Sequence, residues 1–188
     1  MHRRLRLVGL VLTTIAIAMV VQTPASAEPV GHGPDPRPGK VALPHAFSAF
    51  PGYYQLINKR SNKCLEVQTP DGFYVHQWSC LGSREQAWQP YLDTDGYYEL
   101  FNLRFGPCLT GFNGWIGNGV PVVVQPCGAH SYQQWQIIQV ASFPVNYYAF
   151  KDRNSGKCLN ISGGSFADGA PLIEYDCVFT DNEMFAFS

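Results

Sequence analysis

Few residues in this chain have both the chemistry and the company to do more than pack. Six cysteines, Cys64, Cys80, Cys108, Cys127, Cys158 and Cys177, form an even set whose nearest spacing is sixteen residues. Tetrahedral metal sites are built from close pairs such as Cys-x-x-Cys, so the spacing points to disulfides and no metal is expected. Beyond residue 27 the imidazoles are His32, His45, His76 and His130. Ser131 follows His130 directly, but nothing nearby would orient the base, and no Gly-x-Ser-x-Gly elbow occurs. Glu66 and Glu85 are the carboxylates that can be drawn as the acid and base of glycoside hydrolysis. No enzyme activity and no cofactor are expected.

The elements that would position these residues begin after a leader. Arg3, Arg4 and Arg6 precede an uncharged apolar stretch, Leu7 to Val21, and Ala25-Ser26-Ala27 supplies small residues for cleavage. Residues 1–27 are therefore expected to be a signal peptide, with a secreted, extracellular product and no membrane anchor. Sec and twin-arginine export stay open. Removing the leader takes three arginines and no acids, leaving ten basic against fourteen acidic residues. No basic stripe remains to grip phosphates, which excludes a nucleic-acid partner. Residues 28–51 hold Pro29, Pro34, Pro36, Pro38, Pro44 and Pro51 with interspersed glycines, and read as a flexible arm.

From residue 52 the chain repeats. Gly52 to Val67 reads GYYQLINKRSNKCLEV, Gly96 to Gly111 reads GYYELFNLRFGPCLTG, and Asn146 to Ile161 reads NYYAFKDRNSGKCLNI. In each, a Gly-bearing turn (Asp71-Gly72, Asn118-Gly119, Asp168-Gly169) precedes an apolar run that ends at a second cysteine. Gln86-Ala87-Trp88 and Gln133-Gln134-Trp135 follow, with Glu183-Met184-Phe185 in the third copy. The repeats run over about 52–95, 96–145 and 146–188, and a period of this size marks a repeat architecture. Runs of Tyr, Val, Ile and Phe bounded by Gly, Asn, Asp and Pro read as short strands. Three units of about four strands can close into a threefold barrel with a hairpin cap, leaving no open edges. Six cysteines allow fifteen pairings; the repeat selects Cys64–Cys80, Cys108–Cys127 and Cys158–Cys177.

Cys-Leu, a Gly turn, an aromatic before the second cysteine and Gln-x-Trp, all three times in register, closely resemble the ricin B-type lectin family over residues 52–188. That family includes carbohydrate-binding modules appended to secreted bacterial glycosidases. The resemblance implies an all-β β-trefoil of three homologous repeats with one disulfide each, and carbohydrate as the partner. It implies a structural core role for Gln86, Trp88, Gln133, Trp135 and Phe185. Phe185 keeps apolar bulk without an indole, and Glu183 puts a carboxylate where an amide is expected, which predicts a looser third copy.

The resemblance also places sugar-binding groups in each repeat. An aromatic platform meets the C–H face of a pyranose, and a carboxylate and an amide meet its hydroxyls. In the first repeat these positions are Glu66, Trp78 and Glu85, with His76 alongside; Glu85 replaces an Asn and is expected to repel Glu66. In the third they are Asn160, Tyr175 and Asn182, with Ile173 in the place of His76. Glu174 and Asp176 flank Tyr175 and are expected to be solvated. Asn160-Ile161-Ser162 is also a glycosylation sequon. The second repeat, with Thr110, Gln125 and Tyr132, is expected to be inactive; Trp115 is expected to pack on the barrel, with a substitute platform as the alternative. Galactose-type sugars or a polysaccharide are the expected ligands of a monomer. The competing reading is a β-trefoil protein-interaction module, such as a protease inhibitor or a toxin adhesion subunit.

Overall fold

A computed structural model describes residues 52–68 and 73–188. The expected leader, the arm with His32 and His45, and the Asp71-Gly72 turn lie outside the described residues. The first repeat holds β1 (Leu56–Asn58), β2 (Cys64–Val67), β3 (Val75–Trp78) and β4 (Trp88–Leu92). The second holds β5 (Tyr98–Asn102), β6 (Cys108–Gly111), β7 (Val120–Gln125) and β8 (Trp135–Ala141). The third holds β9 (Tyr147–Asp152), β10 (Cys158–Ile161), β11 (Leu172–Tyr175) and β12 (Phe185–Phe187). Among the described residues no helix is long and apolar enough to cross a membrane.

Pairing closes these strands into two tiers. The first and last strands of each repeat form a ring: β4 pairs with β5, β5 with β8, β8 with β9, β9 with β12 and β12 with β1. The bridge between Tyr54 and Trp88 completes the circuit. The middle strands form three hairpins, β2–β3, β6–β7 and β10–β11, which meet through Tyr74–Val123, His76–Pro171 and Ile173–Pro121. This is a β-trefoil, and ring closure satisfies backbone groups that an open sheet would leave at its edges.

The core follows the repeat. Leu56, Leu100 and Phe150 on the first strands are fully buried. So are Leu65, Leu109 and Leu159 of the Cys-Leu steps, and Trp88, Trp135 and Phe185 on the fourth strands. Each such side chain contributes about 1.5–3 kcal/mol by leaving water. The indole nitrogens of Trp88 and Trp135 donate to the carbonyls of Leu65 and Leu109 at 3.0 and 3.1 Å, which ties β4 and β8 to the hairpins of their own repeats. The three disulfides pair as the repeat requires, within each repeat, over 16, 19 and 19 residues. Loops of that size give roughly 3 kcal/mol each in the chain-entropy description.

Candidate carbohydrate-binding site

The hairpin registers superimpose the three repeats residue by residue. Opposite pairs are Cys64–Trp78 and Glu66–His76 in the first, Cys108–Gln125 and Thr110–Val123 in the second, and Cys158–Tyr175 and Asn160–Ile173 in the third. A 3-10 turn then delivers the last pair of positions: Arg84–Gln86, Ser131–Gln133 and Asp181–Glu183. Each candidate pocket therefore lies between a hairpin and the 3-10 turn of its own repeat.

In the first repeat, Glu66 is gripped from two sides. Gln86 Nε2 donates to Glu66 Oε2 at 2.7 Å, and His76 Nε2 lies 3.2 Å from Glu66 Oε1. The His76 ring stacks on Trp78 with centroids 5.5 Å apart, and Trp78 remains 37% exposed. Three of the four expected residues thus form one chain of contacts ending in an exposed indole. Glu85 is directed elsewhere: its carboxylate meets Arg104 Nε at 3.2 Å. The repulsion expected from Glu66 is answered by that cation. The third repeat also reaches this platform, because Asp168 accepts from the backbone N–H of Ser79 at 2.8 Å and pairs with Lys63 at 2.6 Å. The Lys63 ammonium, with Ser79, holds the Asp168 carboxyl below its ordinary range.

The third repeat has an open pocket of about 350 Å³, whose lining includes Asn160, Gly163, Ile173, Tyr175, Asn182 and Glu183. Tyr175 is 42% exposed at its rim. Asn182 Nδ2 donates to Asn160 Oδ1 at 3.1 Å, and Asn160 Nδ2 donates to Glu183 Oε1 at 3.0 Å. The other Glu183 oxygen accepts the backbone N–H groups of Val178 and Phe179 at 3.0 and 2.6 Å. Glu183 is fully buried with its donors in place, so the third copy is not left unpartnered by its carboxylate. The first repeat's acid–amide pair, Glu66 with Gln86, is reversed here as Asn160 with Glu183. Asn160 stands in the column of Glu66 and Glu183 in that of Gln86, so the two departures compensate. The sequon asparagine, Asn160, is buried and engaged by its neighbours.

The corresponding side chains of the second repeat contact one another. Tyr132 stacks on His130 at 4.8 Å, and its ring lies so near Gly114 that a Cβ there would come within 2.8 Å. Gln125 Nε2 donates to Asn113 Oδ1 at 3.3 Å, across the place a platform ring would occupy. Trp115 packs edge-on against Phe112 yet is 58% exposed. One expectation needs correction. Glu174 is not solvated: it is 1% exposed, because its side chain turns into the interface between the second and third repeats, whereas Asp176 is exposed. Strand alternation puts Glu174 on the face opposite Tyr175, and in this hairpin that face is the interior.

A family model described as ricin-type beta-trefoil lectin domain-like matches residues 46–125, 91–175 and 131–187. Among curated proteins there is no match. The crystal structure of the designed threefold-symmetric protein ThreeFoil is similar, with a TM-score of 0.66 and 32% identity over 72% of this chain and 97% of that one. A ricin B-like lectin from Macrolepiota procera, solved with lactose, is similar in fold, with a TM-score of 0.65 and 15% identity over 79% and 98% of the two chains. An exo-beta-1,3-galactanase from Clostridium thermocellum gives a TM-score of 0.67 and 22% identity over 75% of this chain but 31% of the enzyme. Three matches in register over 46–187, on a barrel built from three disulfide-closed hairpins, leave one assignment: the chain belongs to the ricin-type β-trefoil lectin-like domain family.

Proposed function

We propose that the protein is a secreted carbohydrate-binding module that holds glycan in the first and third repeats, and that it is not itself an enzyme. The pocket of about 350 Å³ under Tyr175 carries the reading. It is concave, rimmed by an exposed ring and floored by fixed amides, which is what the apolar face and hydroxyl rim of a pyranose require. Trp78 with Glu66 offers the same combination in the first repeat. The lectin that is similar in fold was solved with lactose, which favours galactosides as first probes. Catalysis is disfavoured because Glu66 and Glu85 are each committed, one to Gln86 and His76 and the other to Arg104.

Titration calorimetry with lactose and a glycan array on the oxidised protein test the proposal. Two sites per chain are expected, reduced to one by Trp78→Ala and to one by Tyr175→Ala, with tryptophan quenching lost in the first variant. An array without a single glycan bound would overturn it. One observation favours a protein partner instead: Tyr74, Trp115 and Ile116 on the first- and second-repeat hairpins are 48, 58 and 69% exposed. That reading gains if the array is silent and substitutions at these three residues abolish a protein contact.

A further inference from the structure

The interface between the second and third repeats contains two carboxyl groups with too few donors. Glu174 is 1% exposed and neither of its oxygens has a close hydrogen-bond partner, although the Ser155 hydroxyl faces it. Asp152, also 1% exposed, accepts the backbone N–H groups of Asn154 and Ser155 with Oδ1 at 2.7 and 2.6 Å, but its Oδ2 is unpartnered. Both acids converge under Gly111. A Cβ at that position would lie 2.3 Å from Glu174 Oε1 and 3.6 Å from Asp152 Oδ2.

The first repeat shows what these positions ordinarily do. There Asn58 stands for Asp152, Gln77 for Glu174 and Ser61 for Ser155. Asn58 Nδ2 donates to the Asn182 and Met184 carbonyls at 3.2 and 3.3 Å, and Asn102 of the second repeat donates likewise to the Glu85 carbonyl at 2.8 Å. Gln77 Nε2 donates to the carbonyls of Ser165 and Ala167 at 2.8 and 2.9 Å. Ser61 Oγ joins the two amides, at 3.3 Å to Asn58 and 2.7 Å to Gln77. Repeat three thus carries a carboxyl oxygen at each of two places where repeat one has an N–H donor. A carboxyl group can donate there only as the acid, with its proton on.

We propose that Asp152 and Glu174 share a proton and act as positioning residues for the third-repeat pocket, holding β11 against β6 only while that proton is bound. The inference rests on the pocket reading above, because Ile173 and Tyr175 flank Glu174 on β11 and line that pocket. Burial, then the Asp152 carboxyl, push Glu174 up from the ordinary carboxylate range to about 8, against smaller effects of Ser155 and Lys157. Burial also raises Asp152, and the donors around Ser155 oppose it. The charged groups facing the pair are few. Lys157, before β10, is the nearby cation, and it is engaged by Asp176 just beyond β11. β6 and β7 bring no titratable side chain apart from a disulfide cysteine, and β3, which also contacts β11, brings His76, engaged by Glu66. Among the described residues no third carboxylate, imidazole or thiol joins to complete a metal site, so the shared charge falls to a proton.

The sign follows from linkage. Glu174 binds its proton more tightly folded than unfolded, so its contribution is complete below the unfolded range near pH 4.5 and is lost as pH rises to about 8. The melting temperature of the full chain should therefore fall between pH 5 and pH 9, on the order of 5–10 °C. Glu174→Gln, which restores the amide of repeat one, should flatten that profile. Asp152→Asn should shrink the fall, which keeps the test decisive if the Gln variant folds poorly. In a Trp78→Ala background, retention on lactose-agarose should drop several-fold from pH 6 to pH 9 in the parent and stay level in Glu174→Gln. A melting profile that is flat in the parent, or one unchanged by both substitutions, overturns the shared proton. Absence of retention at every pH with the melting profile intact overturns the pocket reading and leaves the shared proton standing.

Discussion

At the scale of single residues, the pockets are decided by who donates to whom. Glu66 accepts from Gln86 in the first repeat, whereas Asn160 donates to Glu183 in the third, so the carboxylate has changed sides without losing its partner. Asn160→Asp alone would set two carboxylates face to face in a buried place and should destabilise by about 3 kcal/mol at neutral pH. Adding Glu183→Gln to it rebuilds the arrangement of the first repeat and should recover most of that loss. Denaturant midpoints of the four proteins in the cycle measure the coupling, expected near 2 kcal/mol in favour of the matched pairs. Additive losses would mean that the two side chains do not communicate. The same donor logic separates Trp88 and Trp135, whose indoles bind a leucine carbonyl, from Phe185, which fills the equivalent space by bulk alone.

At the scale of elements, one strand ending shows how a repeat adapts to its neighbour. β2 and β10 end in buried Val67 and Ile161, but β6 ends in Gly111. Its φ is −66°, open to any residue, so glycine is required by proximity and not by backbone angle. The Glu174 carboxyl occupies the space that a Cβ would need. Gly111→Ala should therefore destabilise by about 1–3 kcal/mol, the range for overpacking, as read from urea denaturation. The loss should diminish when Glu174 is also shortened to Ala; an equal loss in both backgrounds would place the conflict elsewhere. A neighbouring turn behaves differently: Asn113 has φ of 52° where the third repeat uses Gly163 at 62°, so there the backbone angle is the constraint.

At the scale of the molecule, closure makes three short hairpins mutually dependent. Asp168 of the third repeat pairs with Lys63 of the first, and Arg60 Nε donates to the Gly164 carbonyl at 2.6 Å while its guanidinium lies 4.9 Å over Phe166. Under the proposed reading, sites on the first and third repeats of one barrel would suit branched or polymeric glycan, since the second contact becomes intramolecular. Retention on a galactan matrix should exceed what the lactose affinity implies by at least tenfold. Tyr175→Ala, which keeps the first pocket, should remove the excess while leaving monosaccharide binding at Trp78 in place. Retention that merely tracks monosaccharide affinity would count against two working sites.

Most of the fold was legible in the sequence because a threefold repeat states the same constraint three times. The Cys-Leu steps and the Gly turns placed the strands and the disulfide partners without any coordinates, since each depends on local spacing, and the resemblance carried by the Gln-x-Trp column implied the core residues. The site was legible only as a set of columns. Which way a side chain points across repeats is not local, so the commitment of Glu85 to Arg104, the stacking of Tyr132 on His130, and the approach of Asp168 to Ser79 beside Trp78 came from the tertiary structure alone. Glu174 is the plainest case. Alternation along β11 correctly turned it away from Tyr175, but whether that opposite face meets water or the neighbouring repeat depends on ring closure, and closure is a property of all twelve strands together.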